Sequence, residues 1–189
     1  MEDGNVSISR AAGSFSFPAR FTLVAALNPC PCGYYGDSKR ECRCNPRQIE
    51  SYRQRISGPL LDRIDIHVEV PLVDFRELSS NTLSGDKSSV IRERVVAARN
   101  IQLERFKKSP FTTNSAMNAR LVRQHCQLDS ESTGCLEYAM QEMNFSARAH
   151  DRILKVARTL ADLGGAVSIR TQDVLEAIQY RSLDRKLSF

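Results

Sequence analysis

The chain has 189 residues, of which 41% are hydrophobic and 26% are charged, a composition typical of one ordinary globular domain or two small ones. Its formal net charge of +5 permits a polyanionic partner but does not require one, because basic and acidic residues are interspersed. No apolar run approaches the ~20 residues of a membrane span and the start is no signal peptide, so we expect a cytoplasmic protein without a membrane partner.

The first 28 residues predict a hairpin followed by a buried strand. Val6 and Ile8, then Phe15 and Phe17, alternate with polar residues on either side of a short loop, which is typical of a β-hairpin. The continuous apolar run 21–27 predicts a strand that is buried on both faces, as in parallel sheets covered by helices. A second strand is predicted at 64–70, where apolar and polar residues alternate.

Between the two predicted core strands lie a cysteine-rich loop and a helix. Residues 30–44 are rich in Gly and charge and predict a loop, and Asn45-Pro46 is a helix start. Residues 76–88 are polar without an apolar period, so we place a linker there, between a first domain at 1–75 and a second at 89–189. The second domain has the pattern of about five helices, one of them capped by Ser146 and stopped by Gly164-Gly165.

Four of the six cysteines stand in two close pairs, Cys30/Cys32 and Cys42/Cys44. In an extended segment residues i and i+2 point to the same side, so each pair can present two thiolates together. Two such pairs in a Gly-rich loop can fold back into a tetrahedral site suited to Zn²⁺. Free thiols or an oxidised pair are the alternatives, because structural zinc sites more often use two-residue spacers.

Three polar residues stand where a nucleotide site could use them. Asn28 follows the predicted buried strand, at the edge where open α/β sheets bind ligands, although Asn before Pro is also an ordinary turn former. Arg63 could act as an arginine finger on a neighbouring subunit's ATP, or be a solvated charge. Arg148, in the first turn of a capped helix, is by composition alone a surface arginine.

A family resemblance assigns roles to these residues. The blocks AALNPCPCGYYGD, CRC, SGPLLDRIDIHVEVP and SARAHDRILKVARTLADL resemble, in the same order, the ComM/YifB family of magnesium-chelatase-like AAA+ proteins. The resemblance implies a partial α/β AAA+ core followed by an all-helical lid. It also implies that Asn28 is the sensor-1 residue, Arg63 the arginine finger and Arg148 the sensor-2 arginine.

The opening EDGNVSISRAAG resembles the hairpin inserted before sensor 1 in this clade, which includes the MCM helicases. In that clade such hairpins point into the central channel of a hexameric ring, where Arg10, near the hairpin tip, could contact a DNA phosphate. A solvated turn arginine is the alternative role of Arg10.

The sequence also departs from the family pattern. It contains no G-x-x-x-x-G-K-[ST] phosphate-binding loop, since SGDKS at 84–88 lacks the first glycine and the spacing. It contains no apolar strand ending in Asp-Glu, which would supply a Mg²⁺ ligand. In this family both features precede the region matched here. We therefore expect a fragment whose full-length protein binds ATP and Mg²⁺, while this piece alone does not bind ATP tightly.

The resemblance implies a homo-oligomeric ring that acts as an ATP-driven DNA motor in recombination or natural transformation. One alternative is a chelatase-type ATPase subunit that assists Mg²⁺ insertion into a porphyrin. Another is a free-standing zinc module that binds nucleic acid without ATP.

Overall fold

The computed structural model describes residues 4–11, 13–70 and 85–181. The chain divides into two compact units, 1–55 and 56–189. Residues 76–84 of the predicted linker lie outside the described residues, and residues 56–70 belong to the second unit together with the helices. The domain boundary placed at 76–88 therefore stays a prediction.

The first unit opens with the predicted hairpin, which is confirmed. Strands β1 (Asn5–Arg10) and β2 (Gly13–Pro18) pair antiparallel. Val6 lies opposite Phe17 and Ile8 opposite Phe15, and such cross-strand apolar pairs stabilise a two-stranded sheet.

The other predicted element of the first unit is helix α1 (Pro46–Arg53). Asn45 caps it: its side chain accepts a hydrogen bond from the Gln48 N–H, and the Gln48 side chain accepts one from the Asn45 N–H. This reciprocal pair satisfies two amides that a helix start leaves open. Residues 19–45 form no helix or strand.

The two predicted core strands, 21–27 and 64–70, are not formed as paired strands. A strand requires a neighbouring strand with which its backbone pairs, and among the described residues no strand pairs with either segment. The run 21–27 is exposed along its whole length, although its composition is that of a strand buried on both faces. The apolar pattern therefore identifies segments able to enter a sheet, but it does not supply the sheet.

The second unit is helical. In chain order its elements are α2 (Gly58–Leu61), α3 (Ser88–Arg105), a 3₁₀ turn (Asn114–Ala116), α4 (Ala119–His125), α5 (Ser130–Glu142), α6 (Ala147–Leu163) and α7 (Thr171–Gln179). The predicted order of a hairpin, a Cys-rich loop and a helix followed by a helical domain is confirmed.

Helix α6 is the centre of this unit and packs against α3, α4, α7 and the 3₁₀ turn. Ala149, Ile153, Ala157 and Ala161 are fully buried, and their spacing of four residues places them on one helix face. Small residues at three of these positions let the neighbouring helices approach closely. As predicted, Ser146 caps the helix by accepting a hydrogen bond from the Ala149 N–H.

One buried carboxylate joins α6 to α3 and to the 3₁₀ turn. Asp162 accepts two hydrogen bonds from Arg105 (2.6 and 2.5 Å), one from the Asn114 amide (2.8 Å) and one from Arg158 (3.1 Å). Arg158 also donates to the carbonyls of Ala166 and Val167. Because charged groups with several partners hold one geometry, this network fixes how the three elements pack.

Within the described ranges, no helix has both the length and the apolar character that crossing a bilayer would require.

Candidate metal centre

The structure brings the four paired cysteines into one cluster. Their Sγ atoms all lie within 4.8 Å of one another. The Sγ of Cys30 is 3.4 Å from that of Cys32 and 3.7 Å from that of Cys42, and the Cys32 and Cys42 Sγ atoms are 3.6 Å apart. None of the six cysteines, all of which lie in described segments, forms a disulfide.

Turns in the loop bring the two pairs together. Gly33 and Gly36 adopt φ values of 83° and 84°, a region that residues with a Cβ rarely enter. The Gly33 N–H donates to the Cys30 carbonyl (3.0 Å), which closes a tight turn around the first pair. Further along, the Asp37 carboxylate accepts from the backbone N–H groups of Lys39 and Arg40, which turns the chain back toward the second pair.

Two arginines hold the loop in place, because the guanidinium group of each lies over a tyrosine ring of the loop. Arg40 lies over the Tyr34 ring at 5.2 Å and donates to its hydroxyl (2.8 Å). Arg53 of α1 lies over the Tyr35 ring at 5.0 Å and donates to the Pro29 carbonyl (3.3 Å). Cation–π contacts of this kind contribute about 0.5–1 kcal/mol at exposed sites. The loop is thereby attached to α1, next to the second cysteine pair.

The thiols differ strongly in acidity. The backbone N–H of Tyr34 is the main reason that the pKa of Cys32 falls to about 6. A hydrogen bond from the Cys44 backbone lowers the pKa of Cys42, but burial and the neighbouring Cys32 and Cys30 thiols outweigh it and raise that pKa to about 12. Burial also raises the pKa of Cys44. Four thiols so close together cannot all ionise near neutral pH unless a cation lies between them.

The cluster fits a tetrahedral metal ion. With metal–sulfur bonds of about 2.3 Å, a tetrahedral S₄ site has sulfur–sulfur distances of about 3.8 Å, close to the separations observed here. Backbone amides of Tyr34, Arg43 and Cys44 interact with the sulfurs, as outer partners commonly do around bound metals. The four cysteines can therefore bind a metal. Cys126, buried at the end of α4, and Cys135, in α5, take no part in the cluster.

The predicted finger and sensor-2 residues lie in the second unit. Arg63 lies two residues after the end of α2 and donates to the Pro59 carbonyl (2.6 Å). Its neighbour Asp62 accepts from the Ser146 hydroxyl at 3.0 and 2.9 Å. Ser146 is the N-cap of α6, and Arg148 is exposed in the first turn of that helix. The segment that carries Arg63 is thus bonded to the start of the helix that carries Arg148.

Further contacts attach the same segment to the helices, and reasoning from the sequence missed them. Arg152 of α6 forms an ion pair with Asp65. Arg181, fully buried after α7, donates to the Ile64 carbonyl, and the Tyr180 carbonyl accepts from the His67 N–H (2.8 Å). The charges at these positions were visible in the sequence, but their partners lie 87 and 117 residues away, so no local pattern could pair them.

The remaining two predicted residues lie in the first unit. Asn28 is exposed and adjoins the cysteine-rich loop, since a Cβ at Gly33 would lie 4.0 Å from the side-chain amide carbon of Asn28. Arg10 is exposed at the end of β1, opposite Gly13. Its position at the hairpin end agrees with the expected geometry, while its role and that of Asn28 stay predictions.

Comparison with known families identifies the chain. The family described as magnesium chelatase, subunit ChlI C-terminal, matches residues 85–181, about half of the chain. The family described as magnesium chelatase, subunit ChlI, matches residues 1–78. The chain belongs to the magnesium chelatase ChlI family. The ChlI match over residues 1–78 and the C-terminal match over residues 85–181 agree with a partial AAA+ core followed by a helical domain.

Relatives within this family include ComM and YifB, as the sequence blocks implied. The chain is 41% identical over 187 residues to the competence protein ComM of Haemophilus influenzae, a match that covers 99% of this chain and 36% of that protein. It is 40% identical to the uncharacterized protein YifB of Escherichia coli, again over 187 residues, 99% of this chain and 36% of the relative. YifB of Salmonella typhimurium is 38% identical with the same coverage.

The chain therefore spans about a third of the length of the curated relatives it matches. The ChlI family membership supports an AAA+-type fragment.

Proposed function

We propose that this chain is the part of a ring-forming AAA+ ATPase that senses bound nucleotide and triggers its hydrolysis. The observation that carries the proposal is the attachment of the Arg63 segment to the start of α6 through Asp62 and Ser146. The family pattern makes Arg63 the finger and Arg148 the sensor-2 residue. The segment that carries Arg63 is hydrogen-bonded directly to the start of α6, which carries Arg148. A change at one of these arginines is then transmitted to the other through few bonds.

Each residue would have a separate task on the ATP of the full-length protein. The Asn28 amide would orient the attacking water or a γ-phosphate oxygen. Arg63 would enter the neighbouring subunit's site and neutralise charge that develops on the transferred phosphoryl group. Arg148 would report the nucleotide to the helical domain. These tasks require phosphate- and Mg²⁺-binding residues from the rest of the protein, because the matched region of this chain has no phosphate-binding loop.

The cysteine cluster is proposed to bind one Zn²⁺. Four sulfur ligands in a tetrahedral arrangement favour zinc among the metals available to proteins. A zinc ion there would hold a loop that has no helix or strand of its own, and would supply no chemistry to ATP hydrolysis. The role is structural because all four ligand positions are filled by the protein.

We expect the chain, purified under reducing conditions without chelator, to contain about one zinc per molecule. Cys30→Ser or Cys42→Ser should lose most of it, because three ligands hold the ion poorly. Zinc affinity should also fall as the pH falls, since protons compete for thiolates and the pKa of Cys42 lies at about 12 without a metal. Elemental analysis and a chelator titration at several pH values measure both effects.

Cys135→Ser is the matched control for this experiment, because it removes a thiol from α5 outside the cluster and should keep the zinc. Metal-free wild-type protein with an intact fold would contradict zinc binding and leave a loop packed by free thiols.

We further propose that the full-length ring acts on DNA in recombination or natural transformation. The name of ComM, a competence protein, and the hairpin with an exposed arginine at its end support this. Val6, Ile8, Phe15 and Phe17 hold the stem of the hairpin together. In a ring of several subunits, the Arg10 copies would combine into one basic belt.

Arg10→Ala in the full-length protein is expected to lower DNA affinity equally for all sequences and to flatten its dependence on salt. ATP hydrolysis without DNA should stay near wild type, because Arg10 has no part in the tasks proposed for Asn28, Arg63 and Arg148. Fluorescence anisotropy at several salt concentrations, together with an ATPase assay with and without DNA, measures both. If DNA affinity and its salt slope are unchanged, Arg10 is a solvated turn arginine without a role in DNA binding. If DNA does not change the rate of ATP hydrolysis, the chelatase alternative is favoured.

A further inference from the structure

A basic groove runs beside the cysteine cluster in the first unit. It has a volume of about 600 Å³ and lies between the second cysteine pair and helix α1. Arg43, Arg47 and Arg55 line it together with Tyr52, and no Asp or Glu is among its lining residues. We name it the α1 groove.

The guanidinium groups of these three arginines have no partner among the described residues. Within residues 4–11, 13–70 and 85–181, none of the three guanidinium groups forms a hydrogen bond or an ion pair, whereas the nearby Arg40 and Arg53 are both held by carbonyl or tyrosine oxygens. Arg47 and Arg55 are exposed. Three unpaired guanidinium groups around one concave surface produce a positive potential that favours an anionic ligand.

The spacing of the groups indicates the shape of that ligand. Arg47, Ser51 and Arg55 follow one another at intervals of four residues, which places them on one side of α1 and of the turn that continues it. From Arg47 to Arg55 the axial distance is about 12 Å. That distance exceeds a single phosphate group, but it covers several phosphates of a nucleic-acid strand, which carries about one charge per 3.4 Å.

We propose that the α1 groove binds the phosphate backbone of a DNA strand without reading its sequence. The inference rests on the proposed DNA-related function and adds a contact surface separate from the Arg10 hairpin. Arginine suits this role because its planar guanidinium can donate two hydrogen bonds to one phosphate. A DNA strand in the groove would lie against the cysteine-rich loop, residues 30–44.

The test uses the whole 189-residue chain and a fluorescent single-stranded oligonucleotide of mixed sequence. Arg47→Ala combined with Arg55→Ala should weaken binding several-fold and reduce the slope of log affinity against log salt by about 1.4, since each lost phosphate contact removes about 0.7 for single strands. Arg47→Lys combined with Arg55→Lys should restore most of the slope, because lysine keeps the charge. Zinc content and circular dichroism show whether the variants are folded.

The matched control is Arg120→Ala combined with Arg123→Ala. These two exposed arginines of α4 have no ion pair among the described residues, so the control removes the same charge from a helix elsewhere. If the control and the groove variant lose DNA affinity and salt slope equally, the inference is overturned, because net charge alone then explains the effect. An unchanged slope in the folded groove variant, or tripolyphosphate bound as tightly as DNA by the same arginines, would also overturn it.

The outcomes separate this inference from the proposed function. If the wild-type chain binds DNA and the groove variant binds it equally well, the α1 groove is excluded while the DNA-related function stands. If the wild-type chain does not bind DNA at low salt, the proposal that this part of the protein contacts DNA fails as a whole.

Discussion

Arg63→Ala in the full-length protein is expected to reduce ATP hydrolysis by roughly 10³- to 10⁵-fold, the range that arginine fingers contribute in phosphoryl transfer. ATP binding should stay close to wild type, because the guanidinium acts mainly on charge that develops in the transition state. In this structure Arg63 touches its own chain at the Pro59 carbonyl, so the side chain is held near α2. Steady-state hydrolysis and the binding of a fluorescent ATP analogue separate the two effects.

If the arginine finger acts on the ATP site of the neighbouring subunit, two inactive variants should complement each other in one ring. Mixing Arg63→Ala subunits with subunits that lack the phosphate-binding lysine should restore part of the activity, because some interfaces then pair an intact ATP site with an intact finger. Arg63→Lys should recover little, since an ammonium cannot reproduce the planar, two-pronged contact. Arg120→Ala, an exposed arginine of α4, should hydrolyse ATP like wild type. Mixed rings that assemble but never regain activity would contradict the finger assignment.

Asp162→Asn is expected to destabilise the helical unit by about 3–5 kcal/mol, because it leaves the buried guanidinium of Arg158 and the partly buried guanidinium of Arg105 without their carboxylate. The asparagine has nearly the same volume, so the loss reports charge and hydrogen bonding rather than a cavity. Urea unfolding followed by the helical circular-dichroism signal measures it. The exposed pair of Asp86 and Arg94 offers a matched control, and Asp86→Asn should change stability by less than about 1 kcal/mol.

The stability contributed by Asp162 should depend on pH in a defined direction. Burial raises the pKa of Asp162, but hydrogen bonds from Arg105 and Asn114 and the charges of Arg105 and Arg158 outweigh it and hold the pKa below its ordinary value of 3.8. The stabilisation is therefore complete above that value and is lost as the pH falls through the lowered pKa of the folded state. Wild type should lose this component in acid, whereas Asp162→Asn should not show it. Identical acid dependence in both proteins would argue against the network.

The sequence determined the local elements because their signals are local. Alternating apolar residues predicted the hairpin, whereas its register, in which Val6 faces Phe17, came from the structure. The caps at Asn45 and Ser146 were predicted because a capping side chain bonds an amide only three residues away. Four cysteines in two close pairs indicated that one cluster could form, since residues i and i+2 of an extended segment point to the same side. Family membership followed from separated sequence blocks in a fixed order.

Only the tertiary structure decided what depends on distant partners. No sequence pattern identifies Asp162 as the centre of a hydrogen-bond network, because its partners Arg105 and Asn114 lie 57 and 48 residues before it. Nor did the sequence join Asp62 to Ser146 across 84 residues, or distinguish the paired Arg40 and Arg53 from the unpaired arginines of the α1 groove. The run 21–27 has the composition of a buried strand, yet it is exposed here. Composition fixes which face a segment could bury, whereas burial itself requires a neighbour, which only the assembled fold provides.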